Sequence, residues 1–172
     1  KSDGTELGTV MVKDIRSGAS GSSTIYLTNV NSVLFFVASD GINGQELWKS
    51  DGTELGTVMV KDIRIGAIDS NSNYLANING VLYFQANNGI NGTEFWKSDG
   101  TEAGTVMVKD INTTTPSSST GLLTAVNSNL YFKANDGVNG EELWKSDGTH
   151  NGTAMVKDIR SGSSGSSLNY LT

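Results

Sequence analysis

Cysteine is absent from the 172-residue chain, so neither disulfides nor metal–thiolate sites contribute to its structure. Proline occurs once, at Pro116, and histidine once, at His150. No run approaches the roughly 18 consecutive apolar residues of a membrane-spanning helix, and no charged-then-apolar leader opens the chain. Basic residues are also scarce: twelve Lys and Arg are spread along the chain, and the net charge is −6. No basic stripe for nucleic-acid phosphates can be assembled from them. What is plentiful is glycine, 21 residues, in a chain of which only 17% is charged. That composition suits many short strands joined by turns.

One pattern organises the rest. Trp-Lys-Ser-Asp-Gly-Thr begins at Trp48, Trp96 and Trp144, and its last five residues open the chain at Lys1, always 48 residues apart. Val-Lys-Asp-Ile recurs in the same register at Val12, Val60, Val108 and Val156. A constant period without insertion or deletion identifies an array of like structural units rather than one irregular core.

In one period, Tyr74–Ile78 is a short apolar run followed by Asn79-Gly80, the dipeptide of a tight hairpin turn. Val81–Ala86 is then a second strand, Glu94–Lys97 a third and Thr105–Ile111 a fourth, separated by Asn-Gly and Asp-Gly punctuation. The density of Val, Ile, Tyr, Phe and Thr argues against helix. The fold class expected is all-β, in tandem four-stranded antiparallel units. Apolar residues stand at both parities of the second strand, Leu82 and Phe84 against Tyr83, so both faces of each sheet are expected to be covered. Such units match β-propeller blades; the alternative is an open β-solenoid or fibre-like stack.

The boundaries follow the period: a partial unit at 1–23 carrying a fourth strand (Thr9–Ile15) and linker, repeat units at 24–71, 72–119 and 120–167, and the first strand of a further unit at 168–172. The variable polar linkers, which include Pro116, are expected to cross exposed surface. Because the chain opens in mid-motif, it is expected to be a window on a longer array or a protomer that needs partners.

Glu46-Leu47-Trp48-Lys49-Ser50-Asp51-Gly52-Thr53 and Glu142-Leu143-Trp144-Lys145-Ser146-Asp147-Gly148-Thr149 fit the ELWxxDGT pattern fully, whereas Glu94-Phe95-Trp96 has Phe for Leu. Over essentially its whole length the chain resembles the bacterial proteins named for that repeat. The resemblance implies a secreted or surface-attached, propeller-like protein, and it carries no catalytic residues to transfer.

Three recurrent sets invite a chemical reading. Asp40, Asn43 and Glu46 gather oxygen donors that suit Ca²⁺, as do Asn88, Asn91 and Glu94 and also Asp136, Asn139 and Glu142. Their three-residue steps differ from the alternate-residue spacing of the familiar calcium loop, and turn-capping by Asp and Asn accounts for the same residues. Trp48, Trp96 and Trp144 offer stacking platforms for sugar rings, or else pack against the next sheet. The Lys-Asp pairs, such as Lys61-Asp62, point to opposite faces of a strand, so the aspartates are expected to hold neighbouring turns. Asn91-Gly92-Thr93, Asn112-Thr113-Thr114 and Asn151-Gly152-Thr153 fit the N-glycosylation pattern.

An enzyme needs one asymmetric cluster of unlike groups, and near-identical units supply none. The sequence therefore predicts a non-catalytic extracellular or cell-surface protein, structural or adhesive, that assembles with copies of itself or further repeats. A multivalent carbohydrate-binding protein for surface glycans, with or without calcium, is the alternative.

Overall fold

A computed structural model of the chain describes residues 1–114 and 117–169. The strands are β1 (Ile25–Val30), β2 (Val33–Ser39), β3 (Gln45–Ser50) and β4 (Val58–Lys61), then β5 (Asn73–Ile78), β6 (Val81–Asn87), β7 (Thr93–Ser98) and β8 (Val106–Lys109), then β9 (Gly121–Val126), β10 (Asn129–Asn135), β11 (Glu141–Ser146) and β12 (Ala154–Lys157). They form three four-stranded antiparallel sheets in the orders β1-β2-β3-β4, β5-β6-β7-β8 and β9-β10-β11-β12, and no helix occurs among the described residues. Identical sequence gives identical register: Phe36 pairs with Trp48, Phe84 with Trp96 and Phe132 with Trp144.

Two local devices fix the second sheet. In the second unit Asn79 and Gly80 both adopt positive φ, 53° and 82°, so the β5–β6 hairpin closes in the sense that matches strand twist. The Ser-Asp-Gly-Thr segment folds on itself. Asp99 Oδ1 accepts from Thr101 N at 2.8 Å and from Thr101 Oγ1 at 2.7 Å, while Gly104 N donates to Thr101 Oγ1. Thr105 Oγ1 then donates to Thr101 O and shares a bond with Ser98 Oγ at 2.7 Å, which ties the end of β7 to the approach to β8. The same turn forms at Asp3, Asp51 and Asp147.

Alternate residues of each strand send side chains to opposite faces, and both faces are used. Leu82, Phe84, Ala86 and Trp96 of the second sheet pack against Val30, Phe35, Leu47, Val60 and Ile63 of the first. The other face of the second sheet, Ile78, Tyr83, Phe95, Val108 and Ile111, packs against Leu130, Phe132, Ala134 and Trp144 of the third. The first strands of neighbouring sheets, β1, β5 and β9, also lie against one another.

Two expectations are corrected, and a third falls largely outside the described residues. Thr9–Ile15 forms no strand; its only ladder-like pairing is between Lys1 and Val10, whose N–H and C=O groups exchange bonds at 2.7 and 2.8 Å. A strand needs a partner edge, and among the described residues no Glu-Leu-Trp segment lies beside this one. The linkers are not simply surface crossings: Ser70 and Ser118 are fully buried and their N–H groups donate to Gln45 O and Thr93 O. Of the further strand expected at 168–172, residues 168–169 are not in a strand and the rest lies outside the described residues, as does Pro116.

Candidate functional site

Trp96 and Trp144 line the joints between sheets, and Trp48 lies where the first sheet meets the N-terminal segment. Each is 6% exposed: Trp48 sits with Phe36, Ala38 and the N-terminal Ile15, Trp96 against the first sheet and Trp144 against the second. Their indole N–H groups are buried without a partner among the described residues, and Lys109 Nζ lies 5.9 Å from the centre of the Trp144 ring.

The loops of the expected calcium set are closed by internal bonds. Asp40 Oδ1 accepts from the N–H groups of Ile42 and Asn43, and Oδ2 from the Asn43 amide. Asp136 and Asn139 repeat this arrangement, and Asn88 bonds to Asn91. Although burial opposes it, this hydrogen bonding holds the Asp40 and Asp136 carboxyls below the usual carboxylate range.

Glu46, Glu94 and Glu142 are fully buried. Their carboxyl oxygens accept from the N–H of Ile63, Ile111 and Ile159 at 2.9, 2.8 and 3.1 Å, pinning the chain beyond each fourth strand to the third strand. Burial pushes Glu46 up to about 8, and the charge of Asp62 adds to it; Glu94 is raised by burial and then by Asp110. Asn91 Nδ2 donates to Asp110 Oδ2 at 2.7 Å, and Gly66 N to Asp62 Oδ2 at 3.2 Å, so the Lys-Asp aspartates do hold turns.

The donor set is a poor fit to calcium. Glu46 Oε1 and Asp62 Oδ1 are buried without partners, but Ca²⁺ takes about six to eight oxygens. No group of three or more His, Cys, Asp or Glu among the described residues is arranged to hold a metal.

Sequence reasoning missed two features. Lysines clamp the sheets together: Lys49 Nζ donates to Gly100 O and Lys97 Nζ to Gly148 O, each at 2.8 Å, while Lys61 and Lys109 reach Thr105 O and Thr153 O at 2.9 and 2.7 Å. Their recurrence was visible, but the carbonyl they reach, 44 or 51 residues ahead, was not. The second is a bulge in every first strand, where Tyr26, Tyr74 and Leu122 adopt φ of 56°, 52° and 54°. For bulky side chains this is a costly conformation. It leaves Tyr26 and Tyr74 about half exposed, at 50% and 49%, with Tyr74 beside Gly121 of the next first strand.

The two outer faces of the array differ. In the first two sheets, Phe35 and Tyr83, Leu47 and Phe95, Val60 and Val108, and Ile63 and Ile111 are buried by the sheet that follows. Their equivalents in the third sheet are Tyr131 and Leu143, which are half-buried, and Val156 and Ile159, which are 46% and 52% exposed. Lys133, standing where Val37 and Gln85 do, pairs with Glu141 at 3.0 Å on this face.

A cleft of about 590 Å³ runs between the linker that follows β4 and the second unit, lined by Arg64, Ile65, Ile68, Ile90 and Trp96. No known protein family matches the chain, and neither a curated protein nor a solved structure is significantly similar to it.

Proposed function

We propose that this is a non-catalytic structural or adhesive repeat protein of the cell exterior, whose units pack face to face within the chain and between chains. The apolar face of the third sheet, on which no further sheet packs among the described residues, carries the reading. Its residues correspond to those that the first two sheets bury, so association with a further unit removes the same surface from water. Convergence of β1, β5 and β9 at one side supports a fan of blades, as in a propeller, over a linear stack. The extracellular setting and the kinship with ELWxxDGT proteins rest on the repeated octapeptide. Against catalysis stands the sameness of the units: the buried glutamates occur three times in like surroundings, and His150 is an exposed turn residue.

Light scattering across a concentration series tests the proposal. A mass that rises with concentration is expected; monodisperse monomer throughout refutes it.

Carbohydrate binding is the second reading, and one observation moves it from the tryptophans to the tyrosines: Tyr26 and Tyr74 are exposed, strained and 48 residues apart. Aromatic faces at a fixed spacing suit repeated sugar rings, with weak sites adding through avidity. A glycan array expects hits that vanish in Tyr26→Ala/Tyr74→Ala; an array blank for the unaltered protein removes this reading.

A further inference from the structure

We infer that the open face of the third sheet is a docking surface for the N-terminal segment of a second copy of this chain, in the register already used inside it: Lys145 donating to Gly4 O and Lys157 to Thr9 O of the other copy. This rests on the assembly proposed above and specifies its contact.

The register comes from the clamps. Lys1 reaches Gly52 O at 2.9 Å, Lys49 reaches Gly100 O and Lys97 reaches Gly148 O. Lys13 reaches Thr57 O at 2.8 Å, Lys61 reaches Thr105 O and Lys109 reaches Thr153 O. Lys145 and Lys157 are the next members of these two series. Both are exposed, and neither has a partner among the described residues.

The complementary half is the segment 1–23. It forms the same turn at Asp3, and the carbonyls of Gly4 and Thr9 accept no bond among the described residues. Its Met11 is 77% exposed, whereas Met107 and Met155 pack against the apolar clusters at the two sheet joints and Met59 against the cluster of Phe36, Ala38 and Trp48. Gly100 sits against the tip of the Phe35 ring and Gly148 against the Tyr83 hydroxyl, so close that a Cβ would crowd the first and overlap the second. Gly4, with open space around it, is the next such glycine, and Tyr131 the next such ring.

Two lysine donors, two carbonyls free among the described residues, an aromatic and a methionine thus form a matched set divided between the third sheet and the segment 1–23. Contact between different surfaces of identical molecules is head-to-tail, so it propagates unless the rotation closes a ring.

Sedimentation of the full chain tests this, with Lys145→Glu, Lys157→Glu and Met11→Glu as variants and Ala103→Glu, on an exposed turn, as the charge control. All four positions are exposed, so the fold is expected to survive, as circular dichroism checks. The unaltered chain and the control should associate with concentration. Each of the other three should weaken that association about tenfold or more, the effect of losing a charge-assisted bond or burying a charge.

Association that persists equally in all variants overturns this contact while leaving the wider assembly proposal standing. A chain that stays monomeric up to about 1 mM, the regime of the weakest specific contacts, overturns both. Nuclear Overhauser contacts between the Met11 methyl and the Tyr131 ring that survive dilution also overturn it, because the ends would then meet within one molecule.

Discussion

Phe95 in β7 stacks on Phe132 in β10 with ring centroids 4.7 Å apart and planes inclined by 21°, joining the second sheet to the third, and Tyr83 stacks on Phe95 from within its own sheet at 5.7 Å. Phe95 is fully buried, so truncation leaves a cavity at the joint that rigid sheets fill poorly. Phe95→Ala is expected to cost about 3 to 5 kcal/mol in denaturant unfolding. A loss under about 1 kcal/mol would show that the joint is not where the units hold together.

The Asp-Gly-Thr turns depend on a glycine five residues after the aspartate. A Cβ on Gly104 would overlap the Asp99 carboxylate, which is held by Thr101. Gly104→Ala should therefore lower the thermal midpoint, and much less so in an Asp99→Ala background, where the obstructing group is gone. Additive losses in the double variant would rule out this clash.

Stability should fall from mildly acid to mildly alkaline pH. The Glu46 carboxyl is pushed from its ordinary 4.5 up to about 8 by burial, so between these values the folded chain retains a proton that the unfolded chain has released. Its stabilising effect is complete below 4.5 and is lost as pH rises to about 8, at no more than about 1.4 kcal/mol per pH unit. Glu46→Gln, neutral throughout, should flatten that decline in a series of melting curves. An unchanged slope would remove Glu46 as its source.

The turn aspartates act in the opposite sense. Hydrogen bonds from Thr101 hold the Asp99 carboxyl below its usual range, and Thr149 does the same for Asp147. Their contribution is present above the ordinary aspartate value and lost as pH falls through the lowered one. Thr101→Val should shift the acid unfolding midpoint to higher pH; no shift would mean that the turn survives without its threonine.

Chelation should leave the melting midpoint unchanged, because the Asp40 and Asp136 oxygens are already occupied by N–H donors of their own loops. A midpoint that rises with added Ca²⁺ and falls with chelator would restore the calcium reading.

Much of the fold was legible from residues alone. Asn79-Gly80 predicted the hairpin, and the alternation of Leu82, Tyr83 and Phe84 predicted a sheet buried on both sides, because hairpin geometry and strand alternation are local properties of the backbone. The candidate site was less legible. Trp96, Glu94 and Asn91 were picked out by type and recurrence, but burial and bonding partners decide what such groups do. The same Glu-Phe-Trp strand puts Glu94 under the chain after β8 and Trp96 against the preceding sheet. Tyr74 escaped notice because nothing in its neighbours announces a bulge.

The sequence by itself determined the period, the strands and the turns, since each follows from interactions within a few residues. Only the tertiary structure decided which faces are covered and which lysines find a carbonyl. Those outcomes depend on groups some 44 to 51 positions apart meeting across a joint, and among the described residues the outer face of the third sheet meets no further sheet.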